Sequence, residues 1–537
     1  MADCIPYSET QRFSNLILDY LNRKKELDGF YEEFPTLENF GFQVERKKSS
    51  FPASNRKILV EILQKQYKGL NISEATNNNI RLLSKENTFT VTTGHQLNLF
   101  TGPLYFLYKI VSAINLASQL GEKYPENHFV PVYWMATEDH DFQEINFFNL
   151  HGKKFQWNPP ENKKTGGAVG ELPTRGLDEI FNLFSAEIGS GENAETLKKL
   201  FEDAYLKHSN LTDATRYLAN ELFSEYGLVI IDAHEKDLKK QFAPFMEKEL
   251  LDNFSYEAVH SKAEDLGNLG YNVQVNSREI NLFYLSEGLR ERIIEKDGQY
   301  FVNETQIEWS RQELLEQLHE YPEKFSPNVI LRPLYQEVVL PNLCYIGGGG
   351  ELAYWLELKD CFERVNIPFP VLLLRNSALL RTQKQLKKQE KLHISNRELF
   401  LKKHELINRK VRQISEIDID FSPQREHLKL QFQNLYELAE KTDKSFLGAV
   451  KAQEVKQLKG LDKLEKRLLK AQKLKLGDEV SRVVLLQNQL FPNNGLQERE
   501  TNFSEFYLEF GDRLIPELIK QLDPLEFEFC IITLGSS

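Results

Sequence analysis

An acidic turn with one histidine is the densest group of potentially catalytic side chains in the sequence. Its members, Glu138, Asp139, His140 and Asp141, follow the apolar run at residues 128–136. Three carboxylates and a histidine at a strand end can bind a divalent cation or a substrate amine. They can also act as a general base whose pKa is shifted by like-charge crowding. A solvated acidic turn that caps the next helix is the alternative, and the position and density of the charges favour a functional site.

A glycine-containing turn follows an earlier β-branched run, residues 89–94. It contains Gly94, His95 and Gln96, and Thr101 comes shortly before a proline that begins an apolar helix. Glycine lets backbone amides approach a phosphate, the amino end of a helix favours an anion, and His95 or Gln96 can donate hydrogen bonds to it. A plain tight turn is the alternative, because neither GxxxxGK[ST] nor GxGxxG is present.

An arginine and a run of glycines mark a third candidate region. Arg332 stands between apolar residues, where a guanidinium is costly unless it meets an anion such as a carboxylate or phosphate. The glycines allow close backbone approach to a ligand before the next helix, and a flexible hinge is an equally good interpretation. They are Gly347, Gly348, Gly349 and Gly350.

Apolar strands alternate with helices through the first two thirds of the chain. Strand-like runs occupy residues 89–94, 128–136, 226–234 and 368–376. Uninterrupted apolar strands alternating with helices indicate a parallel sheet covered on both faces, so the expected fold class is α/β. In open sheets of this kind the ligand lies beyond the carboxyl ends of the strands, which is where the acidic turn and the glycine turn both fall.

Four regions are expected along the chain. Residues 1–85 form amphipathic helices packed on the core, residues 86–375 form the α/β core with insertions, and residues 376–486 form an antiparallel coiled coil. Residues 487–537 form a loop, a helix and a strand that returns to the core sheet.

The coiled-coil prediction rests on a heptad register. Apolar side chains recur on it at Leu379, Leu386, Phe400, Ile407 and Ile414. Arms of ~40 residues would extend ~60 Å at the helical rise per residue.

The charge is unevenly distributed. The net charge of −12 argues against a surface built throughout for nucleic acid or an anionic membrane. However, residues 381–412 hold 11 Lys or Arg against 3 Glu, and residues 451–475 hold 9 against 3 acidic residues. Phe400 is the single aromatic there, whereas single-strand binding relies on base stacking as well as charge. We therefore favour a solvated helical face or a dimer seam, and keep a nucleic-acid-binding or scaffold protein as the alternative from another class.

The cysteines and the apolar runs indicate the compartment. Cys4, Cys344, Cys361 and Cys530 lie far apart without a CxxC pair, which fits a reduced compartment and argues against a disulfide framework or a cysteine-only zinc site. The amino terminus lacks the layout of a signal peptide, and charges interrupt every apolar stretch well before the ~20 residues of a membrane span. We expect a cytoplasmic protein without membrane contact.

Five blocks spread from about residue 90 to 500 resemble the bacillithiol synthase family, BshC. They are TTGHQLNLFTGPLYFLYKI, VPVYWMATEDHDFQEIN, VQVNSREINLFYL, LRPLYQEVVLPNLCYIGGGGELAYWLELK and LFPNNGLQER. The resemblance implies the Rossmann-like fold of class I aminoacyl-tRNA synthetases and nucleotidylyltransferases, with inserted connecting segments and a coiled coil used for homodimerisation. It also implies a ligase that joins the carboxyl group of cysteine to the amino group of glucosaminyl malate.

The resemblance also suggests roles for individual residues. An amide made from a free carboxylate needs activation, so ATP or a related nucleotide is implied, while a metal requirement stays open. The glycine turn occupies the place of the histidine motif that steadies ATP phosphates in the synthetase-like fold. In place of the lysine-rich KMSKS loop the sequence has LRNSALLRTQKQ, where Arg375, Ser377 and Arg381 are possible substitutes.

The expected site residues are therefore as follows. The catalytic residues are Asp139, His140 and His95, and none is a metal ligand. The substrate-binding residues are Gly94, Gln96, Thr101, Glu138, Asp141, Arg332, Gly347, Gly348, Gly349 and Gly350. Another ATP-using nucleotidyltransferase or acyl-activating enzyme of the same fold is the alternative within enzymes.

Overall fold

The computed structural model describes residues 3–158 and 166–535 of the chain. Its strands are β1 Asp3–Pro6, β2 Thr88–His95, β3 His128–Met135, β4 Phe147–Leu150, β5 Lys153–Gln156, β6 Val229–Asp232, β7 Leu282–Ser286, β8 Leu289–Lys296, β9 Gln299–Val302, β10 Glu308–Ser310, β11 Phe325–Pro327, β12 Asn342–Gly347, β13 Val371–Leu374, β14 Ser377–Thr382 and β15 Glu528–Leu534.

The α-helices lie before, between and after these strands. They are α1 Asn15–Leu21, α2 Leu37–Ser50, α3 Ala53–Gln66, α4 Glu74–Leu82, α5 Tyr105–Lys123, α6 Phe142–Ile145, α7 Leu177–Ile188, α8 Glu192–Tyr205, α9 Leu211–Phe223, α10 Lys236–Asp252, α11 Phe254–Asn268, α12 Arg311–Glu320, α13 Leu331–Val339, α14 Gly349–Trp355, α15 Lys359–Glu363, α16 Gln383–Lys391, α17 Lys403–Ile414, α18 Ser422–Ala439, α19 Lys444–Lys475, α20 Gly477–Leu490, α21 Gln497–Glu500, α22 Ser504–Phe510 and α23 Leu514–Gln521.

The core is a five-stranded sheet in the order β13-β12-β2-β3-β6, in which neighbouring strands are parallel. Side chains on both faces of β2 and β3 are buried, which is why these strands consist of uninterrupted apolar and threonine residues. The predicted parallel sheet is therefore confirmed, and four of its strands coincide with predicted runs, although β2 extends one residue beyond its run at each end. The fifth strand, β12, is missing from the prediction. Little sequence other than Pro341 separates β12 from helix α13, so the two elements are hard to distinguish in the sequence.

The strand ends meet at one edge of this sheet. His95 at the end of β2 pairs with Met135 at the end of β3, and Gly347 at the end of β12 pairs with Leu374 at the end of β13. The glycine turn, the acidic turn, the glycine loop and Arg375 therefore all follow strands that end at the same edge. Sequence positions more than two hundred residues apart become neighbours there.

Helix α5 packs against the parallel sheet. Twelve of its nineteen residues are buried, among them Leu116 and Leu120, which pack in one apolar cluster with Phe89 and Val91 of β2. Burial of a side chain of this size contributes ~1.5–3 kcal/mol. The apolar surface of α5 on nearly every side, visible in the sequence, is thus explained by its position in the core.

An antiparallel sheet in the order β10-β9-β8-β7-β11 forms a separate layer. Between residues 272 and 286, β7 is the one strand. Residues 272–280 are an irregular segment, and the backbone amide of Gln274 donates to the buried carboxylate of Glu357 instead of to a strand.

The two ends of the chain meet in a small sheet in the order β1-β15-β14. The prediction that the last strand joins the core sheet is wrong, because β15 pairs with β1 and β14. The prediction of helix from residue 376 is wrong for β14, where the backbone N–H and C=O of Leu380 pair with the side chain of Gln497. The chain leaves the parallel sheet at Arg375 and Asn376, which are buried by polar partners from other elements.

Residues 382–495 form a compact helical unit of their own. Helices α18 and α19 run antiparallel as a hairpin, in which Phe432 and Ala439 pack against Val450. Their 18 and 32 residues correspond to ~27 and ~48 Å, so the expected arms of ~60 Å are too long. The first predicted arm is instead interrupted after α16 and after α17, and Pro423 lies in the first turn of α18.

No helix in the described part of the chain combines the length and the apolarity needed to cross a membrane.

Candidate active site

A cavity of about 560 Å³ lies at the carboxyl edge of the parallel sheet. This volume falls in the range of small-molecule sites, ~300–1,000 Å³. The charged and polar aromatic side chains around it are His95, Tyr105, Lys109, Trp134, Asp139, Glu144, Arg332, Tyr345, Glu351, Tyr354, Trp355, Arg375 and Arg499. They come from β2, β3, β12 and β13 or the turns that follow these strands, from helices α5, α6, α13 and α14, and from α21, which follows the helical unit in sequence.

One side of the cavity is acidic and is organised by Gln96. Its Nε2 donates to Asp139 Oδ2 and to Glu144 Oε2, each at 2.9 Å. Burial raises the pKa of Asp139, but hydrogen bonds from His140 and Gln96 and the positive charge of Arg332 outweigh it and hold the pKa well below the usual range. Asp139 is therefore an anion at neutral pH, and Glu144 supplies a second carboxylate on the same side.

His95 is buried and neutral. Its ring Nδ1 lies 2.7 Å from the carbonyl oxygen of Gln96, to which it must donate, so the lone pair is on Nε2. Burial and the nearby charge of Lys109 lower the pKa of His95 to about 3. The uncharged ring offers a hydrogen-bond acceptor to the cavity.

A buried ion pair joins the glycine turn to the glycine loop. Lys109 Nζ donates to the Gly94 carbonyl oxygen at 2.6 Å and lies 2.6 Å from Glu351 Oε2. The same carboxylate accepts from the Gly348 backbone N–H at 2.8 Å and from the Tyr345 hydroxyl at 2.7 Å. Burial alone would raise the pKa of Glu351, but Lys109 holds it below its usual value. The two loops that line the cavity are thus tied to each other.

The basic side of the cavity consists of three arginines. Arg332 is partly buried. Burial lowers its pKa, but the neighbouring Tyr354 and Asp139 outweigh burial and raise the pKa above its usual value, so the guanidinium stays charged. Arg375 is 3% exposed and pairs with Glu498 at 2.7 Å. Arg499 is exposed, and no ion pair involves it among the described residues.

Three residues that line the cavity have a buried polar atom without a hydrogen-bond partner. These atoms are Nε2 of His95, Nε of Arg375 and Nε1 of Trp355. An unsatisfied buried donor or acceptor costs ~1–3 kcal/mol. A polar ligand that forms hydrogen bonds with this acceptor and these two donors would therefore recover that cost.

The structure brings together about half of the predicted site residues. Those that line the cavity are Gly94, His95, Gln96, Asp139, Arg332, Gly348 and Gly350. Those that do not are Thr101, Glu138, His140, Asp141, Gly347 and Gly349.

Glu138 takes part in a separate buried network. Its Oε1 lies 2.6 Å from Lys239 Nζ and 3.0 Å from His234 Nδ1, and its Oε2 accepts from Ser326 at 2.6 Å. Burial alone raises the pKa of Glu138, but Lys239 and His234 hold it far below the usual range. All its oxygens have partners, so the carboxylate stabilises the fold on the side away from Asp139.

His140 and Asp141 lie outside the cavity. The His140 ring is 46% exposed, and its Nδ1 accepts from Arg290 at 3.0 Å. Asp141 is exposed and provides no side-chain cap for α6. Among the described residues, the carboxylates of the acidic turn do not converge as metal ligands.

Thr101 and two glycines are structural in this conformation. Thr101 is 2% exposed and has a φ of +68°, in a turn whose carbonyl oxygens at Phe100 and Gly102 accept from Asn502. A Cβ at Gly347 would lie 2.8 Å from Leu352, so the position requires glycine for space. Gly348 lines the cavity, and its backbone N–H donates to Glu351.

Sequence reasoning missed several cavity residues that the structure reveals. Lys109 could have been noticed, since a lysine inside an otherwise apolar helix is costly without a partner. Glu351 was visible as a carboxylate at a helix start. Arg375, which the sequence did suggest as a substitute for the KMSKS lysines, lines the cavity. Arg499, and Glu498 with which Arg375 pairs, follow the helical unit in sequence, and no local pattern connects them to the core.

The site has the features that an anionic ligand requires. Arg375 retains an unpaired N–H, and a Cβ at Gly348 would lie 3.7 Å from that nitrogen, so glycine keeps the approach open. Both features fit the phosphate or carboxylate group of a ligand such as a nucleotide.

Comparison with known proteins identifies relatives of the whole chain. The family model for the Rossmann-like N-terminal domain of bacillithiol biosynthesis BshC matches residues 1–376, and the model for its C-terminal coiled-coil domain matches residues 378–534. The expected Rossmann-like core and coiled coil are therefore confirmed.

Two relatives carry the name "Putative cysteine ligase BshC". The protein of Christiangramia forsetii is 64% identical over 534 residues, covering 99% of each chain. The protein of Flavobacterium johnsoniae is 60% identical over 533 residues, covering 99% of this chain and all of its own. A solved structure titled "putative arginyl t-RNA synthetase", from Campylobacter jejuni, covers 88% of this chain and 98% of its own, but its TM-score of 0.21 and identity of 11% are too low to support an argument.

Proposed function

We propose, since the chain belongs to the BshC family of bacillithiol biosynthesis, that it is a cysteine ligase. The reaction joins the carboxyl group of cysteine to the amino group of glucosaminyl malate. The observation that carries the proposal is that carboxylates and arginine guanidinium groups line the same cavity. Ammonium groups of both substrates suit Asp139 and Glu144, while carboxylates suit Arg332 and Arg375.

The cysteine carboxylate must be activated before an amine can displace an oxygen from it. ATP is the activating substrate in this proposal, and either an adenylate or an acyl phosphate satisfies the chemistry. Arg375 and Arg499 are the groups assigned to the developing negative charge, because charge-assisted hydrogen bonds to oxyanions are about twice as strong as neutral ones. Arg375 directly follows β13, where the sequence lacks a lysine-rich loop, and Arg499 is the neighbour in sequence of Glu498, with which Arg375 pairs.

Asp139 and His95 act as hydrogen-bond acceptors in this mechanism. The depressed pKa of Asp139 makes it a poor base but a good partner for an ammonium group. Neutral His95 presents the lone pair of Nε2 to an N–H or O–H of the substrate. Both residues therefore orient the substrates.

The decisive experiment is mass spectrometry of a reaction containing the protein, ATP, cysteine and glucosaminyl malate. The expected product has the mass of the two substrates less one water, with either AMP and pyrophosphate or ADP and phosphate formed beside it. Absence of both the thiol product and nucleotide consumption, with cell extract added as well, would contradict the proposal.

A pair of arginine variants tests the site. Arg332→Gln should abolish product formation, because the cavity loses a charge that faces Asp139 and the substrate carboxylates. Arg364→Gln is the matched control, since Arg364 is 43% exposed and pairs with Glu257 outside the cavity. Equal activity of the two variants would remove Arg332 from the mechanism.

We also propose that two copies associate through the helical unit. Several leucines of this unit are exposed although they belong to its hairpin, namely Leu430, Leu438, Leu464 and Leu474. Apolar side chains of this number on one helical hairpin are typical of a seam that a second helix covers.

A further inference from the structure

A second cavity, of about 510 Å³, adjoins the first. Gln96, Tyr105, Glu144 and Arg499 line both cavities, so together they form the boundary. A reaction that joins two substrates needs two neighbouring compartments with the reacting groups at their border. The proposed function accounts for the first cavity and leaves the second without an occupant.

The chemistry of the second cavity differs from that of the first. The polar side chains found only here are the amides Asn98, Gln143 and Asn149 and the carboxylate Glu500, beside the ring of Phe147. Arg499 is the single cation among its lining residues. Amides and carboxylates pair with hydroxyl groups, and an aromatic ring packs against the C–H face of a sugar.

The residues that line the second cavity disfavour a nucleoside triphosphate. A triphosphate would place several negative charges beside Glu144 and Glu500, with Arg499 alone to oppose the repulsion. A polyhydroxylated ring that is neutral or carries an ammonium group meets no such penalty.

Asn98 is an acceptor held ready in this wall. It is 7% exposed, its Nδ2 donates to the Glu144 carbonyl oxygen at 3.3 Å, and its Oδ1 has no hydrogen-bond partner. Glycine at position 102 leaves room for Asn98, because a Cβ there would lie 2.7 Å from the Asn98 Cβ. A buried amide oxygen without a partner costs ~1–3 kcal/mol, which a hydroxyl or ammonium donor of a ligand recovers.

The boundary supplies the group that orients an amine. Gln96 holds Glu144 and Asp139 together through two hydrogen bonds of 2.9 Å, so both carboxylates lie where the cavities meet. An ammonium group on a ring in the second cavity is drawn to this boundary. The amine then faces the compartment in which the cysteine carboxyl group is activated.

We propose that the second cavity is the subsite for the aminosugar ring of the acceptor substrate, with Asn98 and Gln143 as hydroxyl-recognising residues. The inference rests on the proposed ligase function and assigns the sugar and the activated carboxyl group to different compartments. Arg499 lies at the boundary of the two cavities, where it binds an anionic group of either substrate.

The test uses the full-length protein and a blocked second cavity. Gln143 is exposed and lines only this cavity, so Gln143→Trp fills its entrance without removing a buried group. Gln312→Trp, on the surface helix α12, is the matched control. Binding of glucosaminyl malate and of ATP is measured separately by calorimetry, and binding of methyl glucosaminide, the sugar without malate, by saturation-transfer NMR.

We expect Gln143→Trp to weaken glucosaminyl malate binding about tenfold or more, and to abolish the methyl glucosaminide signal, with ATP affinity unchanged. Asn98→Asp, which keeps the side-chain shape, should also change sugar binding while leaving ATP binding intact. If glucosaminyl malate binds the native protein and Gln143→Trp equally, the subsite is overturned while the ligase function stands. Weaker ATP binding in Gln143→Trp would assign the cavity to the nucleotide. Failure of the native protein to bind glucosaminyl malate at all would overturn both proposals.

Discussion

The neutral state of His95 predicts a specific dependence of stability on pH. The pKa of His95 in the folded protein is about 3, whereas that of an unfolded histidine is ~6.5. Because the folded pKa is depressed, the unfolded chain binds the additional proton, so stability is lost as pH falls below ~6.5. From these two values, lowering the pH from 7.5 to 5.0 costs ~2 kcal/mol, since one pKa unit corresponds to ~1.36 kcal/mol.

The variant His95→Gln isolates this contribution. Other groups also titrate in this range, so the quantity to compare is the difference in unfolding free energy between variant and native protein at the two pH values. All four tryptophans lie at positions 134, 157, 309 and 355, outside the helical unit, so fluorescence in urea follows the unit that contains the cavity. The native protein should lose ~2 kcal/mol more than the variant on going to pH 5.0.

A control and a clear contrary result are available. His404→Gln removes a histidine that is 70% exposed in the helical unit and should give the same pH dependence as the native protein. A difference between native protein and His95→Gln that is constant from pH 7.5 to 5.0 would refute the argument. The folded protein would then bind the His95 proton as readily as the unfolded chain does, and burial would not lower the pKa of the ring.

Three further predictions concern packing, charge and assembly. Lys47 and Glu337 form an ion pair of 2.8 Å with side chains at most 1% exposed, so Lys47→Met should cost ~3–5 kcal/mol in urea unfolding. Lys57→Met, at a site 80% exposed, should cost little, and equal losses would contradict this. Burial lowers the pKa of His234, but hydrogen bonds that its ring donates to Glu138 and Glu171 outweigh burial and raise the pKa to about 10. The stability that this pairing contributes is therefore fully present below pH ~6.5 and is lost as pH rises through 10. His234→Asn should therefore destabilise by on the order of 3 kcal/mol at pH 7.5 and by much less at pH 10.5, and a loss independent of pH would count against the pairing. For the helical unit, Leu430→Glu with Leu438→Glu should halve the mass measured by light scattering, and an unchanged mass would exclude that surface as the dimer seam.

The strands that sequence could predict are those whose surroundings leave a local mark. Residues 89–94 and 128–136 are buried on both faces, and their runs of apolar and β-branched residues therefore predict strands. β14 leaves no such mark, because Leu379 and Leu380 fit a heptad as well as a strand. Its partners, Asp3 and Thr533, reach Arg381 from the two ends of the chain.

The site was predictable to the extent that it follows from strand ends. Gly94, His95, Gln96 and Asp139 meet because parallel strands end at one edge. Glu138 and Asp139 lie in a turn, in which the Asp139 N–H donates to the Ala136 carbonyl oxygen, and their different partners do not follow from the acidic sequence of this turn. The ion pairs Lys109–Glu351 and Arg375–Glu498 depend on tertiary contacts, which no single stretch of sequence encodes.

The pairing of Arg375 with Glu498 has a consequence for how the protein is made. The two residues are 123 positions apart, and the whole helical unit is synthesised between them. During translation the core sheet can form early, but its cavity stays incomplete until the last segment leaves the ribosome. Loop-closure entropy grows slowly with length, by ~0.6 kcal/mol for each doubling, so a longer or shorter helical unit changes this pairing little. Truncation after the helical unit, by contrast, removes Glu498 and Arg499 together with helix α23, which packs on α5, and strand β15.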